Sequence, residues 1–383
     1  MTLRILYVTN NYSPYCGGVV HAINAAVDCL EKAGHQVFIV TLDFNVDCVD
    51  LYKVKRIWCP ITFRLYQNHM AIPCWAIWYI EALLCEFKPD IIHTHHPFLL
   101  GNSALCLAKK YGIPIIFTYH TLYDRYAHYI PLPAMLVRPC IHYMVKRFCS
   151  NMHAIIAPSR VVYDHIKSIT PQVRVEVLPS PIEDTFYPLI AYEQKSYIQL
   201  LVVSRFVPEK NLLILFDMLK LLPSCYHLVL VGYGYLYDTL QDRARTLHLT
   251  NRVQYIIKPE HTHLVALYQQ ADLFVFPSQL DTQGLVLAEA MACGLPVVAL
   301  DGPGQRDIVI HNYNGFIVDS IAHMAHTIQD IMDNALLYKQ LREGALYTAA
   351  RYKKSAYTDA LVQVYTQNIK NHTAYFANLS KMG

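Results

Sequence analysis

The sequence predicts an α/β protein of two domains. At 383 residues the chain is longer than one ordinary hydrophobic core supports. Short apolar runs of strand type alternate with helical segments in both halves. Residues 274–300 show this most clearly, because they follow the order strand, loop, helix, strand of a right-handed crossover unit. We therefore expect one domain over residues 1–183 and a second from residue 184, joined through the Pro-rich residues 178–188.

The first half opens with a predicted strand at residues 5–9, a helix at about 19–33 and a strand at 36–42. Gly17 and Gly18 stand at the strand-to-helix turn, where backbone N–H groups can approach a phosphate at a helix N-terminus. A plain tight turn explains the same two glycines. The full G-x-G-x-x-G fingerprint is absent, which argues against a dinucleotide enzyme.

Residues 50–80 interleave basic side chains with large aromatic ones. Trp and Tyr prefer the headgroup level of a bilayer, so a membrane interface is one interpretation. A nucleic-acid surface uses the same residue types, and burial of the tryptophans in the core is a third interpretation. The residues are Lys53, Lys55, Arg56, Trp58, Arg64, Tyr66, Trp75, Trp78 and Tyr79.

Histidines gather after the predicted strands at residues 91–93 and 115–119, at the strand ends where open α/β sheets bind ligands. Their spacing is not that of a closed zinc site and no Cys is near, so no metal site is predicted. They are His93, His95, His96, His120 and His128.

Residues 133–150 have a helical pattern in which Arg138, Lys146 and Arg147 stand among apolar residues. A basic amphipathic helix is a candidate for binding a membrane surface. A packed helix with a solvated basic edge explains the pattern equally well. Residues 1–180 carry 16 Lys and Arg against 11 Asp and Glu, within a net charge of +3 for the chain. This balance suggests an anionic partner surface, although ordinary solvated charge explains it too.

Two cations follow the first predicted strand of the second half, residues 200–203. Arg205 and Lys210 flank a turn there and suit a diphosphate, one as a planar fork and one as a point charge. A pair of surface cations is the alternative. Gly232 follows the next strand and fits a turn near a nucleotide.

Two carboxylates frame the crossover unit. Asp281 lies in its loop and Glu289 lies on its helix, which is otherwise almost wholly apolar. A buried carboxylate needs a partner, and either a ligand hydroxyl pair or a structural ion pair supplies one. Backbone N–H groups at the start of this helix add a second polar surface.

The carboxylate stretch resembles a known family signature: an acidic residue, seven residues, Glu, then A-M-A-x-G-x-P-V-V. It is the signature of the retaining nucleotide-sugar glycosyltransferases of the glycogen-synthase-like superfamily, and the R-x-x-x-E-K-N string starting at Arg205 matches as well. The strings T-Q-G and Y-H-T-L-Y-D-R-Y-A-H-Y-I resemble the 1,2-diacylglycerol 3-alpha-glucosyltransferase branch. Asp281 departs from the family Glu, and Ser180 and Pro181 stand where the family has Asn-Gly.

This resemblance implies the GT-B fold, with two Rossmann-like domains facing across a cleft that holds the active site. It implies that residues 355–383 pack back onto the first domain and leave 184–354 as the nucleotide-sugar domain. His120 would contact the transferred sugar, Asp281 the sugar hydroxyls and Glu289 the ribose hydroxyls. Donor contacts are expected from Gly17, Gly18, Gly232, Thr282, Gln283, Gly284, Leu285 and Val286. Acceptor or membrane contacts are expected from Tyr123, Tyr126, His128, Arg138, Lys146 and Arg147.

The resemblance implies a retaining hexosyltransferase that moves glucose from UDP-glucose, and together with the basic and aromatic stretches it predicts a membrane lipid such as diacylglycerol as the acceptor. No D-x-D pair occurs, so neither a metal nor another cofactor is expected, and no nucleic-acid partner. No run of eighteen apolar residues and no signal peptide is recognised, and the 11 cysteines are scattered. We therefore expect a cytoplasmic, peripherally membrane-associated protein. The alternatives are a transferase acting on a soluble sugar or glycan, and a nucleotide-sugar-binding protein weakened by Asp281.

Overall fold

The structure is a computed structural model, and it describes residues 2–13, 18–46, 50, 52–65, 68–123, 133–189, 196–281 and 283–379. The chain divides into two compact units. Unit 1 comprises Met1–Pro181 and Lys354–Gly383, and unit 2 comprises Ile182–Lys353. Each unit holds its own parallel sheet and its own core, and each is described by itself.

The sheet of unit 1 has the strand order β3-β2-β1-β6-β7-β8-β9, with every pair parallel. The order reverses between β1 and β6, which makes this the switch point where open α/β sheets bind ligands. An antiparallel hairpin of β4 and β5 stands apart from the sheet. The strands are β1 (Arg4–Val8), β2 (Gln36–Leu42), β3 (Val54–Ile57), β4 (Ile61–Leu65), β5 (Asn68–Ile72), β6 (Ile91–Thr94), β7 (Ile115–Thr118), β8 (Ala154–Ala157) and β9 (Val175–Val177).

Alternate residues of β1 serve two different cores, because successive side chains of a strand point to opposite faces. Leu6 and Val8 join one cluster, whereas Ile5 and Tyr7 join the other. Helix α12 packs against α1 over the second cluster. The helices of unit 1 are α1 (Gly18–Lys32), α2 (Ala76–Phe87), α3 (Leu100–Tyr111), α4 (Ala134–Cys149), α5 (Arg160–Ile169) and α12 (Lys354–Leu379).

Unit 2 repeats this architecture with the order β12-β11-β10-β13-β14-β15, again all parallel. Its switch point lies between β10 and β13. The strands are β10 (Ile198–Val203), β11 (Tyr226–Gly232), β12 (Val253–Ile257), β13 (Leu273–Phe276), β14 (Val297–Leu300) and β15 (Gly315–Val318). The helices are α6 (Ile214–Leu221), α7 (Tyr237–Thr246), α8 (His261–Gln270), α9 (Leu285–Ala292), α10 (Ile321–Asp333) and α11 (Ala335–Ala349).

The predicted fold class, two Rossmann-like α/β domains, is confirmed by the two parallel sheets with helices between most successive strands. The interpretation of the tryptophans as core residues is wrong. Trp58, Trp75 and Trp78 are 49%, 59% and 65% exposed. They lie just after β3 and at the start of α2, and the rings of Trp75 and Trp78 stack on each other with centroids 6.2 Å apart.

The Pro-rich residues 178–188, predicted as the interdomain linker, contain the boundary between the two units and are partly buried. The chain passes from unit 1 to unit 2 between Pro181 and Ile182. Ile182 and Phe186 are buried in the core of unit 2, and Ser180 is buried as well. None of the helices in the described ranges is long and apolar enough to cross a membrane.

Candidate active site

Helix α9 carries a carboxylate on an otherwise apolar surface. Leu287 and Met291 are fully buried, whereas Glu289 is half-buried. The phenol of Tyr268 on α8 donates a 2.8 Å hydrogen bond to Glu289 Oε2. The alternative of a structural ion pair is therefore wrong for the part of the chain described here, because the partner of Glu289 is a neutral hydroxyl.

The environment of Glu289 favours the protonated acid more than water does. Burial raises the pKa of Glu289 to about 7, the negative charge of Glu183 adds to this, and the hydrogen bond from Tyr268 opposes it. Glu289 Oε1 has no hydrogen-bond partner among the residues that the structure describes. The carboxylate thus keeps acceptor capacity for hydroxyl groups of a ligand.

Asp281 and Lys210 come together although 71 positions separate them in the chain. Lys210 Nζ forms an ion pair with Asp281 Oδ1, and both side chains are about one-fifth exposed. Burial acts to raise the pKa of Asp281, but the charge and hydrogen bond of Lys210, with smaller contributions from Ser278 and Arg205, together hold the pKa below its usual value. Asp281 Oδ2 is buried without a hydrogen-bond partner among the described residues, so this oxygen can accept from a ligand.

Two glycines allow the loops after β10 and β11 to approach each other. Gly232 and Gly234 have φ of 146° and 155°. A Cβ on Gly232 would lie 1.8 Å from Ser204 O, and one on Gly234 would lie 2.3 Å from Phe206 O. This contact places the backbone of Arg205 against the end of β11. The predicted turn at Gly232 therefore has a structural requirement for glycine.

The loop after β14 supports the loop that carries Asp281. The amide of Gln305 is fully buried and donates to the backbone oxygens of Ser278 and Leu300, the latter at 2.9 Å. A Cβ on Gly304 would lie 2.6 Å from Asp281 O. Gly284, with φ of 63°, precedes the first turn of α9. Gln283, Leu285 and Val286 are half-buried beside it, whereas Thr282 lies outside the described residues.

Unit 1 brings its histidines together at the switch point of its own sheet. His95 Nδ1 lies 2.9 Å from His120 Nε2, and the two rings stack. His93 is bonded to Thr118 Oγ1 at 2.7 Å and to Tyr365 OH on α12 at 2.8 Å. Burial lowers the pKa of His120 to about 3, with a contribution from His96, so the imidazole is neutral. No group of metal-ligating side chains is found within the described ranges.

The remaining predicted residues of unit 1 fall into two sets. Gly18 begins α1, and the ring of Tyr123 packs edge-on against Phe98 and Tyr119. The positions Gly17, Tyr126 and His128 lie outside the described residues.

Helix α4 turns a mixed apolar and basic surface outward. Met135 and Leu136 are 86% and 70% exposed, and Tyr143 and Met144 are also exposed. Leu136, Tyr143 and Arg147 share one face, because seven and then four residues separate them. Arg138, Lys146 and Arg147 are all exposed. The outward face of this helix is thus apolar and basic, not only basic.

Sequence reasoning missed Tyr268 and the support given by Gln305. Tyr268 occurs in the apolar pattern of α8, which is typical of a core helix and carries no sign of a polar partner. Gln305 lies in the loop after β14, and nothing in the sequence pattern marks its amide as the support of another loop. The signal that could have found Tyr268 is chemical, because a carboxylate on a buried helix requires a donor from a neighbouring element.

Two family models match the chain and together cover most of it. The model described as glycosyl transferases group 1 matches residues 191–346, and the model described as glycosyltransferase family 4 matches residues 16–186. Solved structures agree in fold. A sucrose-phosphate synthase from Thermosynechococcus elongatus superposes with a TM-score of 0.78 at 19% identity, covering 95% of this chain and 98% of that one. The Anabaena protein HepE, solved in complex with UDP-glucose, superposes with a TM-score of 0.75 at 18% identity over 95% and 100% of the two chains.

Two curated relatives share one name. The alpha-monoglucosyldiacylglycerol synthase of Streptococcus pneumoniae is 32% identical over 330 residues, covering 80% of this chain and 73% of the relative. The protein of the same name from Acholeplasma laidlawii is 24% identical over 95% and 96% of the two chains. We conclude that the chain belongs to the group 1 glycosyltransferases of the GT-B fold and resembles their diacylglycerol glucosyltransferase branch.

Proposed function

We propose that this glycosyltransferase transfers glucose from UDP-glucose to a membrane lipid such as diacylglycerol, with retention of the anomeric configuration. Two relatives named for the synthesis of a glucosyl diacylglycerol support the acceptor and the sugar. A similar fold solved with UDP-glucose supports the donor. The protein would act as a peripheral protein at the cytoplasmic face of the membrane.

Unit 2 supplies the groups that a nucleotide sugar requires. Breaking the bond between the anomeric carbon and the phosphate oxygen leaves negative charge on the diphosphate, and preorganised cations stabilise that charge. Arg205 and Lys210 are the candidates, together with the N–H groups at the start of α9. Asp281 Oδ2 would accept from a sugar hydroxyl and Glu289 from the ribose.

Retention requires that the acceptor hydroxyl attack on the face from which the diphosphate departs. In that step the acceptor oxygen bonds to the anomeric carbon while the bond to the phosphate oxygen breaks. The departing phosphate oxygen takes the acceptor proton, so no protein nucleophile is needed. His120 would contact the sugar as a neutral imidazole, since burial lowers its pKa.

One observation gives the main support for a lipid acceptor. The outward face of α4 presents Met135, Leu136 and Tyr143 beside Lys146 and Arg147. Apolar side chains gain free energy by entering the interface, and each basic residue near anionic lipid adds about 1 kcal/mol. The hairpin and the start of α2 expose further large apolar residues in the same unit. These are Ile61, Phe63, Ile72, Trp75, Ile77, Trp78 and Tyr79.

Vesicle flotation tests this assignment. The triple variant Arg138→Glu, Lys146→Glu, Arg147→Glu should bind phosphatidylglycerol vesicles at least about a hundredfold more weakly than the wild type, since three attractions of about 1 kcal/mol are lost. Binding of the wild type should also weaken as salt is raised.

The matched control is Arg160→Glu, Arg174→Glu, Lys370→Glu, which makes the same charge change at exposed positions of unit 1 outside α4. Equal loss of binding in both triple variants would mean that only the net charge matters. If the wild type binds no vesicles and glucosylates a soluble sugar, the lipid acceptor would be wrong and the soluble-sugar alternative would be favoured.

A further inference from the structure

The hydrogen bond from Tyr268 to Glu289 is a buried polar contact of unit 2 that the proposed reaction does not use. We propose that Tyr268 is a positioning residue that holds the Glu289 carboxylate for the two ribose hydroxyls of the donor, and so makes the site select ribonucleotides. This inference rests on the proposed donor-binding role of Glu289 and extends it.

The phenol is held firmly in place. Tyr268 is fully buried, with its ring edge-on to Phe186 at 5.4 Å and stacked with Phe274 at 5.7 Å between centroids. Burial raises the pKa of Tyr268 well above its usual value, so the hydroxyl keeps its proton and donates. A buried hydroxyl needs a partner, and Glu289 Oε2 provides it at 2.8 Å.

This bond occupies one side of the carboxylate and fixes its plane. Rotation of the side chain would leave the Tyr268 hydroxyl buried without an acceptor, which costs free energy. Oε1, for which no described residue is a partner, is then held in one direction and can accept from a vicinal diol. Ribose offers such a diol at its 2′ and 3′ positions, whereas deoxyribose does not. Tyr268 would thus contribute to specificity without touching the ligand.

The same pair makes nucleotide affinity depend on pH. The groups facing Glu289 are Tyr268 on α8, Glu183 on the segment that enters unit 2, and Cys293 at the end of its own helix. With a pKa of about 7, Glu289 gains a proton as the pH falls through neutrality and loses an acceptor for the diol. The Tyr268 hydrogen bond opposes this protonation, so its removal should raise the pKa further.

Calorimetric titration of the full-length protein with UDP and GDP tests the inference, and the tighter of the two serves as the probe. Tyr268→Phe keeps the ring and removes the hydroxyl. We expect it to weaken nucleotide binding roughly 3- to 10-fold, the range of one hydrogen bond. The 2′,3′-dideoxy form of the same nucleotide should bind both proteins equally. As the pH is lowered from alkaline values, the affinity of Tyr268→Phe should begin to fall at a higher pH than that of the wild type.

Tyr255→Phe is the matched control, because Tyr255 in the same unit donates a 3.1 Å bond to Leu240 O and should leave binding unchanged. Glu289→Gln gives a second readout that does not depend on the fold of Tyr268→Phe, since it must flatten the pH dependence. Equal losses for the ribose and dideoxy nucleotides, or an unshifted pH profile, would overturn the inference. A wild type that prefers ribose while Tyr268→Phe behaves identically would overturn it and leave the proposed function standing. A wild type that binds neither nucleotide would overturn both.

Discussion

At the scale of single residues, the candidate donor site contains an ion pair in which one carboxylate oxygen stays available to a ligand. Lys210 and Asp281 form an ion pair, and the second oxygen of Asp281 stays buried without a partner among the described residues. Such a pair is poorly suited to stabilise the fold, because removing two charges from water costs about as much as their attraction returns. Its position after β10 and β13, at the switch point of the sheet, is better explained by ligand binding.

The two cations should matter for turnover more than for folding. Arg205→Ala or Lys210→Ala should each lower kcat by roughly a hundredfold or more, because a preorganised group that stabilises charge in the transition state is lost. Initial rates of sugar transfer measure this. Arg306→Ala is the control, since Arg306 is exposed and pairs with Asp301.

The rates of sugar transfer should also not change when EDTA is added. Near-normal turnover in both variants, or loss on chelation that Mn²⁺ or Mg²⁺ restores, would contradict the assignment.

At the scale of elements, the strands and helices near the site could be predicted because Pro and Gly mark the ends of the apolar runs. Pro277 ends the run of β13, and Gly294 follows α9 with φ of 80°. The sequence also placed both carboxylates by their spacing. Neither the contact between Lys210 and Asp281 nor the hydrogen bond from Tyr268 could be predicted, because each joins different elements by packing. The exposure of Trp75 and Trp78 could not be predicted either, since composition does not say which face of an element is covered by other elements.

The last helix is an element of unit 1 in spite of its place at the end of the chain. Leu361 and Tyr365 are fully buried in one cluster with residues of α1 and β1, and Lys354 pairs with Asp28 at 2.8 Å. Tyr365 also lies 2.9 Å from Tyr7 OH, hydroxyl to hydroxyl. The helix therefore closes one face of the sheet whose histidines include His120.

Leu361→Ala should destabilise unit 1 by about 2–5 kcal/mol, because it leaves a cavity in a well-packed core. Hydrogen exchange should then show faster exchange in α1 and β1, with unit 2 unchanged. Gln363→Ala is the control, since Gln363 is exposed on the same helix. Unchanged exchange in unit 1, or an equal effect of both substitutions, would show that α12 does not complete this core.

At the scale of the whole molecule, two units of the same architecture carry different chemistry. Unit 2 carries Arg205, Lys210, Asp281 and Glu289, the residues that we propose for binding the nucleotide sugar. Unit 1 gathers neutral histidines at its switch point and exposes apolar and basic side chains on α4. The positive balance of residues 1–180 is consistent with the anionic lipid surface that we propose as the partner of unit 1.

The most direct test of the central claim is the product itself. The protein is incubated with UDP-glucose and diacylglycerol in phosphatidylglycerol vesicles, and the lipid product is extracted and examined by NMR. The account predicts a glucosyl diacylglycerol with an α-anomeric linkage, because attack occurs on the face that the diphosphate leaves. A β-linked product, or glucose transferred only to a soluble sugar while the lipid stays unmodified, would contradict it.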